Sequence, residues 1–255
     1  MKAVILAGGK GTRLRPYTTV IPKPLVPIGD QAILEILFEN LRHYGIREVV
    51  LCVNHLAELI KAYFGDGKKY GLKIEYSVED RPLSTVAPLK LINNLPDNFL
   101  VMNGDLLTEL NFREFFDHHR NSGSLLTVGT FRRSVNIDFG VIEIDEDVNK
   151  AVGFIEKPIY DFDVSMGVYA FNRDILKYVP ENQAFGFDNL MTTLLAVNEP
   201  INIFKYKGYW LDIGRPADYE QACKDVDKLR IAKRHAPVEV ELDKVALVRQ
   251  PIRAA

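Results

Sequence analysis

The fold is decided by the stretch Ala3-Val4-Ile5-Leu6-Ala7-Gly8-Gly9-Lys10-Gly11-Thr12-Arg13-Leu14, near the start of a chain of 255 residues. Its apolar residues 3–6 predict a buried strand, and the three glycines beyond allow backbone N–H groups to approach an anion without obstruction by Cβ atoms. Lys10, Arg13 and Lys23 add positive charge, and Lys23 is held between two prolines. The pattern predicts a strand that opens into a phosphate-binding loop.

Spacing excludes two common glycine-rich motifs. The P-loop pattern G-x-x-x-x-G-K-[ST] does not occur in the chain. The dinucleotide-binding pattern G-x-G-x-x-G begins plausibly at Gly9 but has Leu14 where its third glycine belongs. The loop is therefore interpreted as a phosphate-binding loop of another kind.

Composition indicates one large domain that acts on small molecules. Hydrophobic residues make up 47% of the chain, enough for a core of this size. The net charge is −2, so the chain lacks the excess of positive charge that is typical of proteins that bind nucleic acid or an anionic membrane. No stretch has the length of a membrane span or of a signal peptide, so a cytoplasmic protein is expected. Cys52 and Cys223 form no C-x-x-C pair and are expected to be buried or inert thiols.

Apolar, β-branched runs alternate with amphipathic segments in the first half of the chain. Strands are predicted at Lys2–Leu6, Glu48–Val53, Lys73–Val78 and Phe99–Met102. Apolar residues at three- and four-residue spacing predict helices over 33–44 and 56–64. This alternation predicts an α/β fold with a doubly wound, mostly parallel sheet, whose ligands bind at the carboxyl ends of the strands.

The second half changes character and predicts a mixed sheet that forms a smaller lid over the substrate side. Strands are predicted at Ser124–Phe131, Gly140–Ile144, Val152–Ile155, Ser165–Phe171 and Ile201–Tyr206. Helices are predicted near Phe112–His119, Arg173–Tyr178, Asp188–Val197 and Pro216–Leu229. Residues 1–229 are interpreted as one domain. Residues 230–255, with strand-like alternation at Val238, Val240 and Leu242, are either a loosely packed tail or a homo-oligomerisation arm.

The glycine-rich loop, together with Pro22-Lys23-Pro24, resembles the G-G-x-G-T-R-L…P-K-P signature of the sugar-1-phosphate nucleotidyltransferases, and the similarity continues to about Tyr219. These enzymes join a nucleoside triphosphate (NTP) to a sugar 1-phosphate, which gives a nucleotide sugar and pyrophosphate. The resemblance implies a Rossmann-like three-layer α/β/α nucleotidyltransferase fold, with residues 1–229 as the catalytic domain. It also implies an NTP and a sugar 1-phosphate as substrates and Mg²⁺ as cofactor.

Two aspartates are the candidate metal ligands. Asp105 follows a predicted strand and a glycine, a position that suits a Mg²⁺ ligand, although Asn103-Gly104-Asp105 is also a common turn. Asp212 is flanked by apolar residues and would be costly to bury without a partner or a metal. It resembles the second metal-binding aspartate of the family, and its alternative role is that of a capping acid before a helix at Pro216.

The resemblance also implies catalytic and nucleotide-binding roles. Arg13 would stabilise the departing pyrophosphate, Lys23 the charge at the α-phosphorus, and Asp105 would act through the metal ion. The implied nucleotide-binding residues are Leu6, Ala7, Gly8, Gly9, Gly11, Thr12, Arg13, Lys23, Glu79, Ser84, Thr85 and Asn103.

A second element of the family concerns the sugar phosphate. Glu156-Lys157-Pro158, with Phe154 before it, resembles the F-x-E-K-P element, in which the lysine holds the phosphate and the glutamate accepts hydrogen bonds from sugar hydroxyls. The alternative is a surface Glu-Lys pair before a turn. Met166 lies in Ser165-Met166-Gly167, where relatives commonly have N-A-G. The implied sugar-phosphate-binding residues are Asp105, Gly140, Glu156, Lys157, Met166 and Asp212.

The loop that holds the base in the family departs from its pattern here. Relatives read roughly E-x-x-P-L-G-T-A-G-A-L, and this chain has Ser84 and Ala87 in place of two glycines. The added Cβ atoms are expected to narrow the pocket or to require another backbone path. Glu79 could accept hydrogen bonds from guanine N1–H and N2–H₂, which favours GTP slightly over UTP.

Two alternatives to an active nucleotidyltransferase stay open. The altered base loop suits a nucleotide-sugar-binding regulatory subunit with weak catalysis. A glycosyltransferase that uses a nucleotide sugar would share a related fold and an acidic metal motif. Glycosyltransferases commonly carry D-x-D, whereas this chain has Asn103-Gly104-Asp105.

Overall fold

The computed structural model describes residues 1–235, and the side chains of residues 1–229. The strands are β1 (Lys2–Leu6), β2 (Pro27–Ile28), β3 (Gln31–Ala32), β4 (Glu48–Val53), β5 (Lys73–Val78), β6 (Asn98–Asn103), β7 (Leu106–Thr108), β8 (Leu126–Asn136), β9 (Val141–Asp145), β10 (Lys150–Ile155), β11 (Ile159–Asn172), β12 (Ile201–Tyr206) and β13 (Trp210–Asp212). The α-helices are α1 (Ile33–His43), α2 (Ala57–Phe64), α3 (Phe112–Ser122), α4 (Phe187–Ala196) and α5 (Pro216–His235).

The centre of the fold is a seven-stranded sheet with the order β12-β8-β11-β6-β1-β4-β5. Every neighbouring pair in it is parallel except the two pairs made by β11, which runs opposite to β8 and to β6. The strands over 2–6, 48–53 and 73–78 have the bounds predicted from their apolar runs. The α/β class with a mostly parallel central sheet is therefore confirmed.

Both faces of the sheet are covered by helices. Successive residues of β1 point to opposite faces, so they show what covers each one. Ala3 and Ile5 pack into a cluster with residues of α1, α2 and α3, whereas Val4 packs into a second cluster that includes residues of α4. Helix α3 is capped locally, because the Asn111 side chain accepts hydrogen bonds from the N–H groups of Arg113 and Glu114. The result is three layers.

The amino end of β6 carries a buried polar network. The Oδ1 atom of Asn98 lies 3.1 Å from Nε2 of His119 and accepts a hydrogen bond from the Asn172 amide at 3.3 Å. His119 Nδ1 lies 2.8 Å from the hydroxyl oxygen of Thr127, and this oxygen accepts a hydrogen bond from the Asn202 amide. Burial lowers the pKa of His119 to about 4, so its ring stays neutral at neutral pH. This histidine therefore ties α3 to the sheet and has a structural role.

The later strands are distributed differently from the predicted mixed-sheet lid. Strands β8, β11 and β12 join the central sheet, and the ends of β8 and β11 continue beyond it as an exposed antiparallel ribbon over 132–136 and 159–163. The smaller sheet is the antiparallel hairpin β9–β10, whose Ile142, Ile144 and Phe154 are more than half exposed. These two antiparallel ribbons, one of residues 132–136 and 159–163 and the other of β9 and β10, are called the arm below.

Short strands that periodicity does not predict complete the fold. Strands β2 and β3 form a tight hairpin, and β7 pairs antiparallel with β13, so that Leu106 lies opposite Asp212. Helix α5 extends past Leu229, where the sequence predicts the domain to end, as far as His235. The rest of the predicted C-terminal tail or homo-oligomerisation segment, with Val238, Val240 and Leu242, lies outside the described residues. Within residues 1–235, each helix is too short or too polar to span a membrane.

Candidate functional site

A cleft of about 530 Å³ opens at the carboxyl ends of β6, β1, β4 and β5, where the parallel topology places ligand sites. All of the residues predicted to bind nucleotide line it, and so does Asp105. Its lining consists of Leu6, Ala7, Gly8, Gly9, Lys10, Gly11, Thr12, Arg13, Lys23, Pro24, Cys52, Asn54, Glu79, Pro82, Ser84, Thr85, Asn103, Gly104, Asp105 and Gly214. The structure thus brings these predicted residues together, and their role in binding a nucleotide stays a prediction.

The glycine-rich loop after β1 is fixed at both ends by close contacts. A Cβ atom on Gly8 would lie 3.2 Å from the Cβ of Asn54, so a larger residue would push β1 and β4 apart there. Gly11 has φ +61°, and its carbonyl accepts a hydrogen bond from the Thr18 hydroxyl at 2.7 Å. The loop is held in place before any ligand arrives.

At one end of the cleft, Lys23 forms an ion pair with Asp105 in which its Nζ donates to Oδ2, and both side chains are largely buried. The other carboxylate oxygen, Oδ1, is buried and has no hydrogen-bond partner among the described residues. The N–H of Gly104 donates to the carbonyl of Leu6 at 3.0 Å, and a Cβ on Gly104 would lie 3.2 Å from that oxygen. Glycine therefore permits the close approach that fixes Asp105 beside the loop.

Asp212 reaches the same place through the pairing of β7 with β13. The N–H of Ile213 donates to the carbonyl of Asp105 at 3.0 Å, which ties the two aspartates together through the backbone. Burial and the neighbouring Asp105 carboxylate raise the pKa of Asp212, whereas Lys23 and Arg13 oppose this shift. Two carboxylates and two cations thus form one electrostatic network.

These residues fit a divalent cation that keeps most of its ligands as water or substrate oxygen. Asp105 and Asp212 are two carboxylates, and Mg²⁺ is usually held by only one or two of them together with phosphate oxygens. The buried Oδ1 of Asp105 supplies an acceptor that no group of the described residues uses. Within residues 1–235 no group of three or more His, Cys, Asp or Glu side chains could hold a metal ion, so an all-protein cage is not formed there.

The opposite end of the cleft contains Glu79. Its Oε2 accepts a hydrogen bond from the Leu83 N–H at 2.9 Å, and burial raises the pKa of its carboxyl group. Asn54, which the sequence motifs do not identify, donates from its side-chain amide to the Glu79 carbonyl at 2.9 Å. The signal that could have found Asn54 is its place directly after β4, at the same sheet edge as the loop.

Cys52, near the end of β4, also lines the cleft. Burial and the nearby Glu79 raise the pKa of its thiol to about 12, so it stays protonated as an inert thiol.

The two substituted positions of the base loop lie in different surroundings, and a backbone path different from that of the relatives stays a prediction. Ser84 lines the cleft with φ +69°, a left-handed conformation that favours glycine. Ala87 is buried in the core and lies outside the cleft lining, so the expectation that its Cβ narrows the pocket is corrected. The N–H groups of Val86 and Ala87 both donate to the Phe185 carbonyl, which turns Ala87 away from the cleft.

The predicted sugar-phosphate residues on the arm are not brought to the cleft. Glu156 and Lys157 are exposed at the end of β10, and Gly140 lies close to Phe154 and Glu156. The expectation that the Met166 side chain contacts the sugar is wrong, because this side chain is fully buried in the core. Its main-chain carbonyl accepts a hydrogen bond from the indole N–H of Trp210 at 2.9 Å.

Comparison with known proteins gives one consistent family. The sequence model of the nucleotidyl transferase family matches residues 2–228. The chain is 34% identical over 246 residues to a UTP–glucose-1-phosphate uridylyltransferase from Synechocystis sp., an alignment that covers 89% of this chain and 63% of that protein. It is 33% identical over 227 residues to a probable mannose-1-phosphate guanylyltransferase 1 from Oryza sativa subsp. japonica, with 86% of this chain and 63% of that protein covered.

A solved structure shares the fold along most of both chains. The crystal structure of HddC from Yersinia pseudotuberculosis matches with a TM-score of 0.69 and 28% identity, covering 88% of this chain and 99% of HddC. A second structure of HddC, complexed with GMP-PN, matches with a TM-score of 0.66. The chain spans about 63% of the length of the two curated relatives above. The matched range, the shared fold and the identities agree, and the chain belongs to the nucleotidyl transferase family.

Proposed function

We propose that this protein is a sugar-1-phosphate nucleotidyltransferase, which converts an NTP and a sugar 1-phosphate into a nucleotide sugar and pyrophosphate. The observation that carries the proposal is the cationic network at Asp105, where Lys23, Arg13 and a second carboxylate meet a preformed glycine-rich loop. The names of the relatives, a uridylyltransferase and a guanylyltransferase that act on sugar 1-phosphates, support the same reaction.

The reaction brings two anions together, so positive charge is the first requirement. A phosphate oxygen of the sugar 1-phosphate attacks the α-phosphorus of the NTP, a new P–O bond forms, and the bond to the leaving pyrophosphate breaks. Lys23 and Arg13 reduce the repulsion and stabilise charge on the transferred and leaving phosphates. A Mg²⁺ ion held by Asp105 and Asp212 would supply further charge neutralisation. The attacking phosphate is already ionised, so no general base is required.

The dimensions of the cleft suit a nucleotide laid across the sheet. Asp105 follows β6 and Glu79 follows β5, and three strand spacings separate these strands. Neighbouring strands lie about 4.8 Å apart, which places the two acids about 14 Å from each other across the sheet. The triphosphate then lies on the loop between them, with its base towards Glu79.

Glu79 favours GTP as the NTP, with UTP next. Its Oε2 is held by the Leu83 N–H, and its Oε1 lies beside Gly8 at the cleft. A carboxylate can accept from both the N1–H and the N2–H₂ of guanine, whereas uracil offers a single N–H between two carbonyl groups. The acceptor sugar is a hexose or heptose 1-phosphate.

The test is pyrophosphate release in a matrix of NTPs and sugar 1-phosphates. GTP, UTP, CTP, dTTP and ATP are each combined with glucose, mannose and heptose 1-phosphates, with Mg²⁺ and with a chelator. Metal-dependent release is expected, strongest with GTP. The absence of release in every combination, with nucleotide sugars still bound, would replace this proposal by a regulatory subunit, a role that the strained Ser84 in the base loop would suit.

A further inference from the structure

The hairpin β9–β10 has an apolar face that stays uncovered within residues 1–229. Its first strand reads V-I-E-I-D over residues 141–145, an alternation that is typical of a strand with one buried face. Ile142 lies opposite Phe154 and Ile144 opposite Ala151, so these four side chains share one face of the hairpin. Ile142, Ile144 and Phe154 are nevertheless more than half exposed. The sequence therefore specifies a buried face that the single chain leaves open.

The other ribbon of the arm shows the same division into a charged and an apolar face. Tyr160 and Phe162 alternate along β11 with Asp161 and Asp163. Both aspartates form ion pairs with Arg132 across the ribbon, whereas the two aromatic rings are exposed. A two-stranded ribbon that packs against nothing else is only marginally stable in water. A partner that covers the apolar side chains would therefore stabilise the arm.

The exposed apolar surface of the arm is as large as a stable interface requires. Of the twenty large hydrophobic side chains that are exposed within residues 1–229, eleven lie between residues 132 and 163. Together these eleven expose on the order of 1,000 Å² of side-chain surface. The largest apolar patch of a typical monomer measures about 300–600 Å², and a stable interface takes roughly 800 Å² from each partner. The arm therefore offers enough apolar surface for one protein partner.

The charges of the arm disfavour nucleic acid and anionic membranes as that partner. Residues 132–163 contain eight Asp and Glu residues against four Lys and Arg residues. Three of the acids, residues 145–147, lie at the tip of the hairpin, and Glu143 lies on the face opposite to that of Ile144. These carboxylates can stay in water while the apolar face is covered. The surface thus suits an apolar protein face.

We propose that the apolar face of β9–β10 packs against the same face of a second copy of this chain, in a two-fold symmetric dimer. Such a contact requires only one self-complementary surface, and a flat apolar face of two paired strands is one. Sheets that pack face to face lie about 10 Å apart and bury the side chains between them. Ile142, Ile144 and Phe154 are then buried in the dimer, and the acidic tip stays in water.

The experiment measures the mass of the full chain in solution as a function of its concentration. Sedimentation of the wild type from about 0.5 to 50 µM is expected to give a mass that rises from 28.9 kDa to twice this value. Ile144→Glu would bury two unpaired carboxylates in each dimer and should raise the dissociation constant at least about 100-fold. Ile144→Ser adds no charge and should raise it about 10-fold. Circular dichroism verifies that each variant is folded.

Two matched substitutions show which surface is used. Leu195→Glu places the same charge on another exposed apolar side chain, on α4, where Leu195 is 61% exposed against 57% for Ile144. Glu143→Gln changes the opposite face of the same strand. Both variants should dimerise as the wild type does.

The measurement requires neither substrate nor metal, so its result is independent of the proposed reaction. Loss of the dimer in both Ile144 variants, with Leu195→Glu and Glu143→Gln still dimeric, supports the interface. A wild type that keeps the mass of one chain at every concentration would overturn it, and the apolar face would then belong to another partner or to the residues beyond 235 of the same chain. A dimer that persists in Ile144→Glu would overturn it as well, because the two copies would then meet elsewhere.

Discussion

The two ends of strand β6 both contain buried polar groups, but only one end leaves them unsatisfied. At the amino end, Asn98 and His119 contact each other and have further partners in Thr127 and Asn172. At the carboxyl end, one carboxylate oxygen of Asp105 accepts a hydrogen bond from Lys23, and the other is buried without a partner in the part of the chain that the structure describes. A satisfied network stabilises a fold, whereas an orphaned acceptor in a cationic cleft indicates a place reserved for a ligand.

The largest effect is expected from a substitution at the carboxyl end of β6. Asp105→Asn replaces the carboxylate that would hold Mg²⁺ by a neutral amide. Turnover measured as pyrophosphate release should fall at least about 1000-fold, because the positive charge of the metal ion at the reacting phosphates is lost. The folded structure should persist, as judged by circular dichroism. Asp117→Asn, the same change on the exposed face of α3, serves as the control and should keep wild-type turnover. Full activity in Asp105→Asn would remove the assignment of this end as the reaction centre.

The opposite result is expected at the amino end. His119→Ala opens a cavity and removes the hydrogen bonds of the imidazole ring with Thr127 and Asn98, which should lower the free energy of unfolding by about 3 kcal/mol. Urea denaturation at pH 7 measures this loss. Turnover per folded molecule should stay at the wild-type level. A large loss of turnover with unchanged stability would mean that this network serves the reaction after all.

The pH dependence of stability sharpens the same point. The pKa of His119 is lowered from 6.5 to about 4 in the folded protein, so below pH 6.5 the unfolded chain binds a proton that the native protein does not. The wild type should therefore lose stability as the pH falls from 6.5 to 4, by up to about 3 kcal/mol from this group. His119→Ala lacks that loss, and the difference between the two urea curves should shrink over this range. A difference that stays constant would contradict a buried neutral histidine.

The smallest effect is expected at Lys157 on the arm, which is exposed and does not line the cleft. Lys157→Met should raise the KM for the sugar phosphate about 10-fold, because one contact between a charged donor and the phosphate is lost. NTP binding measured without sugar phosphate should not change. Lys150→Met, on the same hairpin, is the matched control and should leave both quantities as in the wild type. Equal effects of the two substitutions would show that Lys157 has no special role.

The parallel strands could be predicted because each is a buried apolar run with clear limits. Strand β4, for example, has the predicted bounds Glu48–Val53, and the cleft at its carboxyl end follows from topology. Strand β8 continues five residues beyond the predicted Phe131, since Arg132, Arg133 and Ser134 lie on an exposed ribbon where apolar residues are not required. Propensity for a buried strand could not show this extension.

The glycine-rich loop could be predicted because its motif is local, whereas the rest of the site depends on pairing between distant residues. Strands β7 and β13 have three residues each, too few for any periodic signal, yet their pairing places Asp212 beside Asp105. Asn54 has no motif and is positioned by the sheet alone. Likewise, Met166 is buried at an irregularity in β11 between Ser165 and Tyr169, and neighbouring residue types do not reveal such an irregularity.

The pairing of β7 with β13 also sets an order for the assembly of the site during synthesis of the chain. Strands β1, β4, β5 and β6 and the glycine-rich loop lie in the first 103 residues, so most of the cleft lining leaves the ribosome early. Asp212 can join Asp105 only after the intervening residues 106–211 have been made and β13 has found its partner. A nascent chain therefore carries the glycine-rich loop well before it can complete the acidic pair, and the site described above is assembled only when β13 has been made and has paired with β7.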